Sequence, residues 1–278
     1  MRADEHDESR VTVGIIGTGN MGAALVRGWL RSDEAEVHLL VWDKVEASTG
    51  RLPISPRLGV AESIDDLAAR ADVVLVVVKP KDAGEVFGAI AGHSGGVRMV
   101  ISSMAGVAIE RMRAALGPGP VLFRIMPNLG VELGVGAIAL ASESGAPEAD
   151  TAAVIRLLEP LGHVEAVPEE LLDVVTAVSG SGPAFLALAM EGLEDGAVAA
   201  GLSRPAARVM VRQAALETAR LLPYSGSPAG LKDRLAAGGD LDRAAFAVLQ
   251  ERGVQAAFRQ AVRAALERSR RLHPGSDS

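Results

Sequence analysis

The pattern of apolar and polar positions changes character once along the chain. In the first part, short unbroken apolar runs alternate with segments of helical spacing. Val11–Ile16, Val37–Trp42, Asp72–Val78, Val97–Ser102, Val121–Met126 and Gly136–Ala141 read as strands. Their apolar residues do not alternate with polar ones, which marks strands covered on both faces. Val164–Val167 adds a last strand. Helical periodicity appears at Asn20–Leu30 (Met21, Ala24, Leu25, Trp29) and recurs at Ile64–Arg70, Ile109–Leu116 and Pro147–Leu161. Residues 46–63, rich in Pro, Ser and Arg, read as irregular structure and turns. Strands alternating with helices predict an α/β fold, a doubly wound parallel sheet.

The first strand stops at Gly17, and Gly17, Gly19 and Gly22 stand at G-x-G-x-x-G spacing before a helix. Strand, glycine loop, helix is the order a dinucleotide-binding turn requires. Gly17 permits the tight turn, Gly19 lets a pyrophosphate approach the backbone, and Gly22 lets helix pack on strand. The helix starting at Asn20 and Met21 points free N–H groups at the anion. A Rossmann domain is therefore expected over residues 11–167. Asp43 lies about 20 residues beyond Gly22, where an acidic residue hydrogen-bonds the adenosine ribose hydroxyls. A carboxylate there repels a 2′-phosphate and favours NADH over NADPH. Lys44 beside it either offsets this by meeting a phosphate or is a solvated charge. Lys79 and Pro80 end another strand on the side that faces the ligand crevice in an open α/β sheet, unless Lys79 merely marks the strand's end.

Near Pro168 the pattern becomes helical almost throughout, with Ala-rich segments at Glu169–Ala177, Pro183–Ala200, Pro205–Leu222, Arg243–Arg252 and Val254–Leu272. An all-α domain over 168–272 is expected. Phe185–Met190 has no wet face, and a helix apolar all round must be buried. One small helical domain has little room for that, which predicts a subunit interface: a homodimer or a multiple of dimers. Residues 1–10 read as a polar leader and not a signal peptide, and 273–278 as a disordered tail. No apolar run reaches spanning length, so no membrane partner is expected.

Composition narrows the function. The 278 residues carry a net charge of −7 and 3% aromatics, which excludes a broad cationic or base-stacking surface for nucleic acid. The absence of cysteine removes disulfides, thiolate metal sites and a Cys nucleophile, and fits a cytoplasmic enzyme. There is no H-E-x-x-H, no His pair at ligand spacing and no Ser/His/Asp constellation, so no metal site is expected. His38 and His163 read as structural or exposed, and Asp65-Asp66, Glu169-Glu170 and Glu194-Asp195 as solvated helix ends or faces.

In order along the chain stand Gly17-Thr-Gly-Asn-Met-Gly22, Val78-Lys-Pro80, Met104-Ala-Gly106, Arg124-Ile-Met-Pro-Asn128, Ser179-Gly-Ser-Gly-Pro-Ala184 and Ser227-Pro-Ala-Gly-Leu-Lys-Asp233. With these the chain resembles the pyrroline-5-carboxylate reductases, from about Val11 to about Leu272. The resemblance implies NADPH or NADH held by the glycine loop and the loops at Val78, Lys79, Pro80 and Ala105. It implies a substrate cleft lined by Ala184 and its neighbours, Ser181 among them, and a helical domain interlocked with a second subunit. The glycines and Pro183 in that stretch agree, since they kink a helix and open its backbone to a ligand.

One segment departs from the family. After Asp233 the family usually carries Thr-Ser-Pro-Gly-Gly-Thr-Thr, whose hydroxyls and amides hold the substrate carboxylate and ring nitrogen. Here the stretch reads Ala236-Ala-Gly-Gly-Asp-Leu-Asp242. Ala237 stands for the Ser and Asp242 for the last Thr, or Asp240 and Leu241 if the glycine pairs are matched instead. A smaller departure is Met126-Pro-Asn-Leu-Gly130, where the family tends to have Thr-Pro after Asn. Ser181 and Asp242 are the candidate catalytic residues. The expected reaction is NAD(P)H-dependent reduction of 1-pyrroline-5-carboxylate to L-proline. Two alternatives stay open: reduction of a different cyclic imine, and a non-catalytic dinucleotide-binding paralogue.

Overall fold

The structure, a computed structural model, describes residues 11–33, 35–93, 96–237 and 240–271, and of residues 240–242 the backbone alone. The expected leader and tail lie outside the described residues. By contacts the chain forms two compact units, the first comprising Met1–Gly180 with Leu266–Ser278 and the second Ser181–Ala265.

Among the described residues the first unit is built on eight strands: β1 (Val11–Ile16), β2 (Val37–Trp42), β3 (Leu58–Val60), β4 (Val73–Val76), β5 (Met99–Ser102), β6 (Val121–Pro127), β7 (Gly136–Ser142) and β8 (Gly162–Ala166). Their order is β3-β2-β1-β4-β5-β6-β7-β8. The helices are α1 (Asn20–Arg31), α2 (Glu46–Thr49), α3 (Ile64–Arg70), α4 (Ala83–Ala91), α5 (Ile109–Leu116) and α6 (Glu148–Leu158). All neighbouring strands pair in parallel except β6 and β7, which are antiparallel. The doubly wound sheet therefore holds for β1 to β6, and the last two strands run the other way. A parallel step needs a crossover of about a dozen residues or more. Only residues 128–135, mostly a 3₁₀ turn at Leu129–Leu133, separate β6 from β7.

Alternate residues of the central strands enter opposite layers. Val13, Ile15, Leu39, Val41, Val73 and Leu75 pack with Leu25 and Trp29 of α1 and Val154 and Leu158 of α6. Ile16, Leu40, Val74 and Val76 pack with Leu67, Phe87, Ile90 and Met112 from α3, α4 and α5. Both faces are covered, which is why the strands read as apolar runs. The fit is close at Gly14, where a Cβ would lie 2.4 Å from Leu67 Cδ2. Two elements fall inside the stretch expected to be irregular. They are α2, with no buried residue, and β3, a three-residue edge strand paired to β2. Their side chains carry too little apolar pattern to be read.

After β8 the unit continues through a 3₁₀ turn at Glu169–Leu171, α7 (Leu172–Val175) and a π turn at Thr176–Gly180. Leu172 is buried against Ala139 and Ala141 of β7, so the compact unit extends past the change of pattern near Pro168. Ser269 Oγ donates to Asp173 at 3.0 Å.

The second unit is helical: α8 (Gly182–Ala199), α9 (Arg204–Ser225), α10 (Pro228–Ala236), α11 (Asp240–Glu251) and most of α12 (Val254–Arg271). Helix α10 starts where Ser227 caps with its side chain and Pro228 takes the first turn. Helix α8 buries no residue, and Leu186, Leu188 and Leu193 on it are each at least 60% exposed. One expectation needs correcting here. The helical stretch Glu169–Ala199 is long and apolar enough, by length and composition, to cross a membrane. No unbroken apolar run marks it, because Gly, Ser and Pro interrupt the stretch without adding charge.

Candidate functional site

The carboxyl ends of β1, β2 and β4 open into a cleft of about 320 Å³. Gly17, Gly19, Asp43, Lys44, Val78 and Lys79 all line it. Sequence-distant residues meet here because each follows a parallel strand of one sheet, on the side where an open α/β sheet binds ligands. The three motif glycines differ in what surrounds them. Gly17 has φ +99°, a backbone that side chains rarely adopt, and a Cβ there would sit 2.6 Å from the Val77 carbonyl. A Cβ on Gly22 would lie 2.0 Å from the Gly17 carbonyl. At Gly19 it would meet nothing within 4 Å. Gly19 caps α1 without a side chain, and no acid stands in the first turn. The helix thus presents unfilled N–H groups beside an open backbone, a cradle that fits a pyrophosphate.

Asn20 lines an adjacent depression with Thr18, Ser48 and Arg51, while Met21 packs against the core. Pro80 opens the 3₁₀ turn at Pro80–Asp82, and Ala105 lies in the turn after β5. Lys44 Nζ pairs with Glu85 at 3.4 Å, both side chains exposed. An exposed pair of this kind is worth about 1 kcal/mol at most and breaks easily.

Asp43 is more engaged than its place after β2 suggests. Its Oδ2 accepts from Thr18 N at 2.6 Å and from Thr18 Oγ1 at 3.1 Å, and its Oδ1 accepts from Val45 N at 2.8 Å. The carboxylate therefore pins the glycine loop to the end of β2. Thr18, 4% exposed, had no role assigned from the sequence. Its hydroxyl inside the glycine motif was the available signal.

A second support lies behind Ala105. Met104 N donates to Ser102 Oγ at 3.2 Å, and Arg124 Nη2 donates to the Met104 carbonyl at 3.3 Å. Arg124, 7% exposed, is balanced by Glu169: Nη1 donates to Oε1 at 2.8 Å, and Ile109 N, at the start of α5, donates to the same oxygen at 2.8 Å. Glu169 is thus not the solvated carboxylate expected. Glu194 also departs, since its side chain is only 17% exposed and faces Arg204 and Arg208. In both cases the partner arginine comes from a distant strand or a neighbouring helix, which the local pattern does not disclose. His163 is exposed and paired with Glu165, as a surface histidine.

The stretch Ser179–Ala184 is not a plain helix. The π turn ends at Gly180, Ser181 sits outside regular helix, and Gly182 and Pro183 start α8. The Ser181 carbonyl accepts from Ala184 N and Phe185 N at 3.0 and 3.2 Å. The side chains of Asp240 and Asp242 lie outside the described residues, as do Gly238 and Gly239. The backbone is helical from Asp240 onward.

Comparison with known proteins adds the following. Residues 169–272 match the family model described as pyrroline-5-carboxylate reductase dimerisation, and residues 12–106 match one described as NADP oxidoreductase, coenzyme F420-dependent. A pyrroline-5-carboxylate reductase of Synechocystis sp. is 35% identical over 264 residues, covering 94% of this chain and 98% of that protein. A pyrroline-5-carboxylate reductase structure from Coxiella burnetii superposes with a TM-score of 0.84 at 25% identity, covering 94% and 98% of the two chains. The Plasmodium falciparum pyrroline carboxylate reductase, solved with NADP bound, gives 0.79 at 25% identity, covering 95% and 98%.

Proposed function

The chain belongs to the pyrroline-5-carboxylate reductase family, and from that premise we propose how its own residues serve the reaction. The reaction is the NAD(P)H-dependent reduction of 1-pyrroline-5-carboxylate to L-proline, the last step of proline biosynthesis. One observation carries this reading: the likeness to a curated reductase runs through 94% of the chain at 35% identity.

In the proposed arrangement, the loop from Gly17 to Gly22, with Asn20 and Met21, receives the cofactor's pyrophosphate on the open backbone at Gly19. Asp43 and Lys44 meet the adenosine ribose, and Val78, Lys79, Pro80 and Ala105 hold the remainder. When bound, the dihydronicotinamide supplies a hydride to the imine carbon. The substrate's ring nitrogen is already protonated near neutral pH, so the protein need not provide a strong acid. Its main task is to hold the two reacting carbons in register. Ser181 lines the imine site. Asp242, or Asp240 in the shifted register, is assigned to the cationic nitrogen from its place in the sequence alone.

NADH is the proposed preference. Its support is the Asp43 carboxylate, held at the end of β2 by Thr18 and Val45, which adds a negative charge where a 2′-phosphate would bring another. We also propose a homodimer, or a multiple of it, in the cytoplasm. The apolar stretch Glu169–Ala199 falls within the region that matches the dimerisation model, so we read it as an interface between copies and not as a membrane span.

The test is oxidation of NADH and NADPH with pyrroline-5-carboxylate and a small panel of cyclic imines. Turnover of pyrroline-5-carboxylate is expected, and its absence with both cofactors would overturn the reading. A second reading keeps the hydride chemistry and changes the imine. What favours it is the loss of every hydroxyl from Ala236–Asp242. Faster turnover of an imine without a carboxylate would establish it.

A further inference from the structure

The Ser179 carbonyl lies where the helical ladder is broken, between a π turn that ends at Gly180 and a new helix with Pro183 in its first turn. In an α-helix the Ser179 carbonyl accepts from residue 183, and a proline there has no N–H to give. The next N–H along, that of Ala184, donates to the Ser181 carbonyl at 3.0 Å. A side chain from elsewhere in the fold reaches Ser179 instead: Asn128 Nδ2 donates to its carbonyl at 3.0 Å. The other end of the same amide is also occupied. Asn128 Oδ1 accepts from Gly130 N at 3.2 Å and from Ala137 N at 3.1 Å. With donors on one side and a carbonyl on the other, only one orientation of the amide satisfies all three partners. The turn before it is held by the same kind of device, with Thr176 Oγ1 donating to the Leu172 carbonyl at 2.8 Å and Ser179 Oγ to the Val175 carbonyl at 3.0 Å.

We propose that Asn128 is a positioning residue for imine reduction, whose amide supplies a donor to the Ser179 carbonyl where the ladder is interrupted and fixes the Ser179 peptide against the end of β6 and the start of β7. Ser181 follows two residues later, so a peptide that swings at Ser179 carries the next residues with it. The proposal rests on the reading that Ser179–Ala184 lines the imine site. A π turn opens the regular ladder at this point, which makes a rigid external donor more consequential than it would be inside a helix.

Asn128→Asp isolates the contact. It keeps an oxygen for Gly130 N and Ala137 N but turns a second oxygen toward the Ser179 carbonyl, which severs the tether. The Michaelis constant for pyrroline-5-carboxylate is expected to rise at least tenfold, while that for the cofactor stays within twofold. A merely structural role would change both together. If Asn128→Asp folds poorly, Asn128→Ser, too short to reach Ser179, is expected to give the same imine-only defect. Ser181→Ala separates the two layers of the argument. An imine constant that responds to Ser181→Ala but not to Asn128→Asp or Asn128→Ser overturns the tether alone. One that responds to none of them overturns the reading of the segment, and the tether with it.

Discussion

Replacing the motif glycines one at a time separates cofactor binding from folding. At Gly19 the backbone is ordinary, with φ −63°, and an added Cβ meets nothing within 4 Å. The fold cost of Gly19→Val is then mostly the loss of a good N-cap residue, about 1 kcal/mol. The branched side chain stands in the cradle, however, and should reduce NADH and NADPH affinity at least a hundredfold, which is about 2.8 kcal/mol. Gly22→Ala should do the reverse. Its Cβ would lie 2.0 Å from the Gly17 carbonyl, and neither helix nor strand can yield cheaply. Overpacking of this kind costs about 1–3 kcal/mol, and more where backbone is the obstacle. Gly17→Ala combines a Cβ 2.6 Å from the Val77 carbonyl with φ +99°, and forcing a side chain into a left-handed backbone adds about 1–2 kcal/mol. Titration calorimetry with each cofactor and urea unfolding without cofactor read the two quantities separately. Unchanged affinity for both cofactors in Gly19→Val would refute the binding assignment. A Gly22→Ala protein as stable as the wild type would refute the packing argument.

Asp43→Ser should raise the ratio of kcat/KM for NADPH over NADH while lowering both values, because Thr18 and Val45 lose their acceptor; steady-state kinetics with the two cofactors decides, and an unchanged ratio counts against Asp43 as the discriminator. Glu169→Ala strands the Arg124 guanidinium, 7% exposed, and should cost about 2–3 kcal/mol in urea unfolding, below the usual 3–5 for a fully buried pair because Glu169 is partly solvated. Adding Arg124→Met should recover much of that loss. Charging the apolar side of α8 with Leu188→Arg should convert a dimer to monomer by light scattering at micromolar concentration; a wild type already monomeric there contradicts the interface. If the proposed role of Asp242 holds, Asp242→Thr should lower the Michaelis constant for pyrroline-5-carboxylate, since a carboxylate at the imine site would repel that of the substrate, and no response to this change or to Asp240→Thr would show both carboxylates to be clear of the substrate.

What the chain discloses by itself follows from what leaves a periodic trace. Helices α3 and α5 match the expected Ile64–Arg70 and Ile109–Leu116 end to end, because each is a short amphipathic run bounded by clear signals. The cleft residues come together because three glycines and three strand ends suffice to define a crevice in a parallel sheet. The reversed pair β6–β7 leaves no such trace, since a buried strand reads the same in either direction and only the eight residues between them betray the turn. The supporting contacts are the hardest to see. Thr18 to Asp43, Arg124 to the Met104 carbonyl and Asn128 to the Ser179 carbonyl each join residues far apart in sequence, and two of the three end on backbone groups that every residue has. One of them nevertheless has a legible half. The Gly-Ser-Gly-Pro run after Ser179 marks an interrupted helix, and a carbonyl just before such a break, that of Ser179, needs a donor from outside the ladder. What cannot be read is which distant donor meets it, and that choice is where the fold, through β6 and Asn128, shapes the proposed imine site.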